Sequence, residues 1–409
     1  MEKQKSPKVR FNSYEKPWQS KKLIELGYCR SGIGFAEAEQ GFNEGIPFFK
    51  VSDMNSKNNS RELKIANNYV SEMTIGDRKW KPIEANVCIV FAKVGAALLL
   101  NRKRIVRNRF LIDNNLMAFI PNDDLDPFFA KDLFDTLDLP KFSQIGALPS
   151  LNAKDIEEYI VSIPLDNEEQ VRINLLQTNL DQEITLVESK FLKLQNLKKA
   201  MLEKMFPKHG SKRPEIRLKG FSGDWEVEAI GDVLQEVFRP INLDNETKYR
   251  LVTVKRRNGG IAERAILKGK DILVKSQFEV KAGDYIISKR QVVHGATGLV
   301  PPELNGSVVS NEYLVGQGTE KLSIEFFALL STLPEMYQKF FLSSYGVDIE
   351  KLFFDVNDWK KREILLPSLE EQVQISAFFK QVDETIKLQQ QQLQTVKNLK
   401  QALLAKMFV

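Results

Sequence analysis

Cysteine, histidine and long apolar runs are all scarce in this chain of 409 residues. Its two cysteines, Cys29 and Cys88, make no disulfide framework, and a reducing cytoplasm is the simpler expectation. The two histidines, His209 and His294, fall in no spacing with cysteine that suits zinc. Neither lies in the nucleophile-elbow setting that a Ser-His-Asp triad requires. The longest apolar stretch, Cys88 to Leu100, runs for about 13 residues and is broken by Lys93, too short to cross a bilayer. The opening stretch, Met1 to Phe11, is basic without an apolar core, so no signal peptide and no membrane partner are expected. No GxxxxGK[ST] loop is present, which excludes an ATP motor of the P-loop type.

The remaining totals describe an ordinary globular chain. Hydrophobic residues make up 43% of it, enough for two or more folded units at this length. Lys plus Arg number 59 against 54 acidic residues, a net charge of +5, so any anionic partner must be met by local clusters. Three fragments imitate catalytic motifs weakly. Asp126-Pro-Phe-Phe129 is one proline short of the loop that holds adenine in amino-methyltransferases. Ser31-Gly-Ile-Gly34 is a bare GxG with no strand–turn–helix around it. Asp53 with Glu62-Leu-Lys64 has the residue types of a metal-dependent nuclease, but short acid-x-Lys triplets are common by chance. No catalytic residue, metal ligand or cofactor site is assigned.

What the chain does have is a duplication. Glu168–Phe206 and Glu370–Phe408 align without a gap at an offset of 202, with 16 of 39 positions identical, which independent segments would not produce. The matches include Gln170 with Gln372, Asp181 with Asp383 and Asn196 with Asn398. Ile163-Pro164 and Leu366-Pro367 precede the two copies. Pro7–Trp18 pairs with Pro214–Trp225 at an offset of 207, setting Tyr14 against Phe221. Each half is therefore an opening Trp segment, a variable region and a long repeated segment.

The repeated segments read as helices. Apolar positions step by four and three through Leu180, Ile184, Val187, Phe191, Leu194 and Met201, and again through Val382, Ile386, Leu393, Val396, Leu403 and Met407. That is a coiled-coil seam, with Lys198, Gln389 and Lys400 as polar members. Helices of about 37 residues would be roughly 55 Å long and would bury little alone, so each is expected to pair with its duplicate. The alternative is that they pack on globular cores or serve only self-association. Pro207 to Pro214 reads as a linker. The variable regions carry strand signals in equivalent places: Ile46–Ser52 and Lys248–Val254, then Val87–Ala92 and Asp284–Ser288, with a further strand region at Val308-Val309 and Leu314-Val315. The expected architecture is α+β: two mixed α/β globules in tandem over 1–160 and 211–363. A central helix with its linker (161–210) and a C-terminal helix (364–409) would separate and brace them, giving a pseudo-two-fold repeat.

Cations cluster inside both variable regions. Arg102, Lys103, Arg104, Arg107 and Arg109 fall within nine residues of the first, beyond Lys93 at the end of a candidate strand. In the second, Lys255, Arg256, Arg257 and Asn258 form a turn, and Lys289, Arg290, Gln291 and His294 follow a strand. Such groups neutralise phosphates, and Arg, Lys, Asn and Gln also make paired hydrogen bonds to base edges. A solvated charged loop explains any one cluster equally well; one in each half favours double-stranded DNA.

The chain resembles Type I restriction-modification specificity subunits along essentially its whole length. Ile163–Phe206 and Leu366–Phe408 look like that family's conserved regions, and Gly283–Pro302 like one type of its target-recognition domain. The resemblance implies a non-catalytic DNA reader whose two domains bind the parts of an asymmetric, interrupted site, with the helices forming an antiparallel coiled coil. It implies partners as well: two modification subunits carrying S-adenosylmethionine and the adenine-methylating site, and restriction subunits adding ATP- and Mg-dependent translocation and cleavage. A scaffold that reads no DNA, or a single-chain nuclease, is the alternative.

Overall fold

A computed structural model describes residues 6–143 and 149–409, so the first five residues of the opening stretch lie outside the described residues. The chain divides into two compact units, one formed by 1–189 with 391–409 and the other by 190–390. The two repeated segments are uninterrupted helices, Asn167–Lys204 and Leu369–Met407. Each unit therefore holds part of both. No helix among the described residues is long and apolar enough to cross a membrane.

Unit 1 is built on a six-stranded sheet in the order Gly27–Ser31, Leu116–Pro121, Ile83–Ala92, Lys103–Ile112, Ile46–Phe49, Tyr69–Val70. Neighbours are antiparallel except Ile46–Phe49, which runs parallel to Lys103–Ile112. The expected strand at Ile46–Ser52 stops at Phe49, because Val51–Asn55 turns into a 3-10 helix. Unit 2 has a four-stranded sheet, Leu234–Glu236, Tyr313–Gly318, Tyr285–Ser288, Thr297–Leu299. It also has a five-stranded sheet in the order Pro240–Ile241, Gln277–Val280, Ser307–Ser310, Lys248–Val254, Ile261–Lys268.

The duplicated sequence gives the same frame twice. Each opening Trp leads into a short strand, Gln19–Lys22 or Glu226–Ala229, that pairs antiparallel with the strand just before a long helix, Ile160–Ile163 or Glu363–Leu366. Arg10 grips the buried Glu169 through two hydrogen bonds of 2.7 and 2.8 Å, and Arg217 grips the buried Glu371 at 2.8 and 2.7 Å. A buried carboxylate needs such a partner, because leaving it unpaired costs several kcal/mol. Beside them, Gln170 accepts from the Asp126 amide and donates to the carbonyls of Asp124 and Pro164. Gln372 repeats this with the Ser323 amide and the carbonyls of Lys321 and Pro367. The Asp126 side chain caps the helix Pro127–Thr136 by accepting from the Phe128 and Phe129 amides, which gives Asp126-Pro-Phe-Phe129 a structural role. Asp53, buried and accepting from the Lys50 and Asn67 amides, is likewise an internal brace.

In both units the helix segments lie side by side and run antiparallel. Within unit 1, Lys400 pairs with Asp181 and Lys397 with Glu188 at 2.6 Å, one helix ascending as the other descends. Within unit 2, Lys198 pairs with Asp383 at 2.5 Å. Asp181 and Asp383, like Lys198 and Lys400, are equivalent positions of the repeat, so one contact is made in both units. Val187 and Met407 are buried, and Leu180, Ile184, Phe191, Leu194, Met201, Val382, Ile386, Leu393, Val396 and Leu403 are half-buried, while Leu186, Leu192, Leu388 and Leu399 stay exposed. The apolar steps of four and three thus mark the covered face. The helix ends seat in the cores: Phe408 packs on Trp18 and Phe129 in unit 1, and Phe206 on Trp225 and Phe326 in unit 2.

Candidate nucleic-acid interface

In unit 1 the basic run is not a loop. Lys103–Ile112 is a strand, so its side chains alternate between faces and only some reach solvent. Lys103, 3% exposed, points inward and donates to Asn101 Oδ1 and the Leu137 carbonyl, both at 2.7 Å. Burial pushes its pKa down to about 8. The expectation that Lys103 contacts DNA is therefore corrected: its ammonium is used inside the fold. Arg104 is partly withdrawn too, donating to the carbonyls of Asn59 and Lys103, with its pKa lowered by burial. Arg102 binds the Met54 carbonyl and Asn55. Arg107 is exposed, paired with Glu62 at 2.9 Å and lying over the Phe128 ring at 4.9 Å.

Arg102, Arg104 and Arg107 line one groove of about 1180 Å³, which the sequence did not connect with Arg61 and Lys64. Arg61 bridges to Asp181 at 2.5 Å and Thr178 at 2.9 Å on the first long helix. Deeper in unit 1, Asp132 accepts from Asn174 at 2.8 Å, and burial pushes its pKa up to about 7. Arg109 is not in that groove; it pairs with Glu72 and Glu84. Lys93 is half-buried at the strand end, its backbone joined to Asn115 and Leu151.

In unit 2 the two basic segments come together. Lys255–Gly260 is the turn between the paired strands Lys248–Val254 and Ile261–Lys268. Arg257 and Asn258 both adopt left-handed backbone, φ 59° and 54°, which is unfavourable for side-chain-bearing residues, asparagine less so. The strain is held by the neighbouring loop: the Arg257 amide donates to the His294 carbonyl at 2.7 Å and the Asn258 amide to the Gly295 carbonyl at 2.9 Å. Gly295 itself has φ +68°, and a Cβ there would come within 2.9 Å of Asn258 Oδ1. Arg256, Arg257, Asn258 and His294 thereby line a cavity of about 420 Å³ with Tyr337 and Glu350, neither of which sequence reasoning selected. Glu350 accepts from Arg256 at 2.6 Å and has its other oxygen 3.6 Å from His294 Nε2. Lys289 donates to the Asn311 carbonyl, and Arg290 pairs with Glu312 at 2.8 Å. Gln291 Oε1 is buried without a hydrogen-bond partner among the described residues. Among the described residues neither Lys255 nor Arg257 has an acidic partner, and both are exposed.

A frame built twice, carrying a different set of cations in each copy, defines a two-part protein with two unlike basic surfaces. Residues 15–219 and 222–398 each match the family described as Type I restriction modification DNA specificity domain. The chain belongs to that family. Two solved structures share its fold. The S subunit of a Type I restriction-modification system from M. genitalium is 13% identical over 99% of both chains, with a TM-score of 0.60. A chain from a study of complex assembly and conformational transition of the Type I R-M system is 16% identical over 96% of this chain and 98% of that one, with a TM-score of 0.51.

Proposed function

We propose that this chain is the DNA-reading subunit of a Type I restriction-modification complex and carries no catalytic site of its own. Unit 1 and unit 2 each read one part of an asymmetric, interrupted sequence in double-stranded DNA. The paired long helices set the gap between the parts and dock two modification subunits. Those partners supply S-adenosylmethionine and adenine methylation, and restriction subunits supply ATP- and Mg-dependent translocation and cleavage. The complex works in the cytoplasm. One observation supports this reading: the repeated frame carries a groove lined by Arg102, Arg104 and Arg107, of which Arg107 is exposed, in one unit, and a cavity lined by Arg256, Arg257, Asn258 and His294 in the other. A repeated frame with unlike contact residues is what a reader of two different half-sites requires.

The test is a module exchange. Residues 225–360 are replaced by those of a relative with another specificity, and methylated adenines are mapped genome-wide in cells carrying the chimaera. One half-site should change while the other half-site and the gap persist. A change in both halves, or in neither, removes the reading; a scaffold indifferent to DNA gives neither.

A further inference from the structure

Unit 2 carries a bare apolar hairpin beside its basic loops. Ser344–Tyr345 pairs antiparallel with Phe353–Phe354, and the Tyr345 and Phe353 rings lie 5.3 Å apart at 47°. The root is anchored, with Phe354 buried against Phe340 and Trp359. The outer face is not: Tyr345 is 60% exposed, Phe353 47%, Ile349 50%, and Val347 in the turn is fully exposed. Large apolar side chains clustered in water in so short an element mark a contact surface.

The surroundings select the partner. Glu350 of the hairpin holds Arg256, and Arg290 sits over the Phe353 ring at 5.8 Å. The tip, which also carries exposed Asp348 beside Val347, thus emerges from a collar of three arginines: Arg256 and Arg290 are paired with Glu350 and Glu312, and Arg257 has no acidic partner among the described residues. A partner protein would have to present an apolar socket ringed by acids. A duplex offers both features in one repeating structure: phosphates for the collar and stacked, apolar base faces for the tip. Apolar side chains pressed between base pairs unstack a step and kink the helix.

We infer that the hairpin 344–354 is a DNA wedge. Val347, backed by the Tyr345–Phe353 pair, enters a base step at the edge of the half-site read by unit 2, and Arg256 exchanges Glu350 for a phosphate. This rests on the DNA-reading function proposed above. The wedge adds distortion to recognition, so that part of the sequence preference of unit 2 comes from how easily one step opens rather than from base-edge contacts.

The test uses the full chain assembled with its modification subunits. The probes are duplexes containing the mapped site, with 2-aminopurine placed in turn at each step other than the methylated adenine. With the unaltered chain, fluorescence should rise several-fold at one step in the half-site of unit 2. Val347→Ser, at a position too exposed to disturb folding, should abolish that rise and weaken specific binding about tenfold. Binding to unrelated DNA should stay the same. No rise at any step, or equal affinity of the variant, overturns the wedge while leaving DNA reading intact. Loss of modification subunits from the variant with specific binding retained overturns it in favour of protein docking. Failure of the unaltered complex to prefer its site would instead sink the reading on which the wedge rests.

Discussion

In unit 1 most cations of the basic strand serve the protein itself. Lys103 and Arg104 donate to carbonyls of their own unit, and Arg109 pairs with two glutamates. In unit 2 the corresponding chemistry sits on a six-residue turn whose backbone is strained and whose Lys255 and Arg257 are exposed. The two units share the Arg–Glu and Gln–main-chain contacts that hold their frames, yet differ in how the reading surface is made. Unit 1 offers a groove along a strand; unit 2 offers two loops locked together by backbone hydrogen bonds. Frame and reader are separable problems in this fold, and only the frame is solved the same way twice.

The largest expected effect tests the frame. Glu371 depends on Arg217, whereas Glu169 has Trp18 Nε1 at 3.3 Å besides Arg10; Trp225 Nε1, the counterpart, has no hydrogen-bond partner among the described residues. Arg217→Ala should destabilise unit 2 by about 3–5 kcal/mol, the usual result of stranding a buried charge. Arg10→Ala should cost unit 1 less. Hydrogen exchange resolved by unit measures both, and equal losses would erase the asymmetry.

A second contrast is pH dependence. Asp132 in unit 1 is held near pKa 7 by burial. Counting from the helix N-caps Asp126 and Ser323, unit 2 has Leu329 at that place. The folded carboxyl keeps its proton where the unfolded one, near 3.9, has lost it. The stability contributed by Asp132 is therefore full below about pH 4 and is lost as pH rises through 7. Asp132→Asn should leave the melting temperature of unit 1 nearly unchanged below about pH 4 and raise it progressively between about pH 4 and pH 7, with unit 2 unaffected. A variant that melts in parallel with the unaltered chain across that range would show that Asp132 does not titrate there.

The smallest effect separates exposed from internal cations. Each phosphate contact adds about 0.9 to the slope of log affinity against log salt. Arg257→Ala should lower the slope by about that amount, and Lys103→Met should leave it alone. A reduced slope for Lys103→Met would return that residue to the interface.

The frame was legible because duplication and a step of four and three survive in the order of the residues. Leu180 to Met201 and Val382 to Met407 announce their covered face, and Lys248–Val254 reads as the strand it is. The reading surfaces were only half legible. Arg256, Arg257 and His294 could be selected by type, but Glu350 and Tyr337 join them through contacts distant in sequence, which no local pattern encodes. The fate of Lys103 depends on Leu137, 34 residues on. The hairpin at 344–354 was missed because strands of two residues give no period to detect.

Gln170 and Gln372 each form three hydrogen bonds with the unit they seat, every one to a main-chain amide or carbonyl. Each glutamine feels only peptide groups, while the glutamate beside it is held by a side chain, Arg10 or Arg217. A sequence change that keeps those two arginines and the backbone path past Asp124 and Asp126, or past Lys321 and Ser323, therefore leaves both glutamine sockets intact.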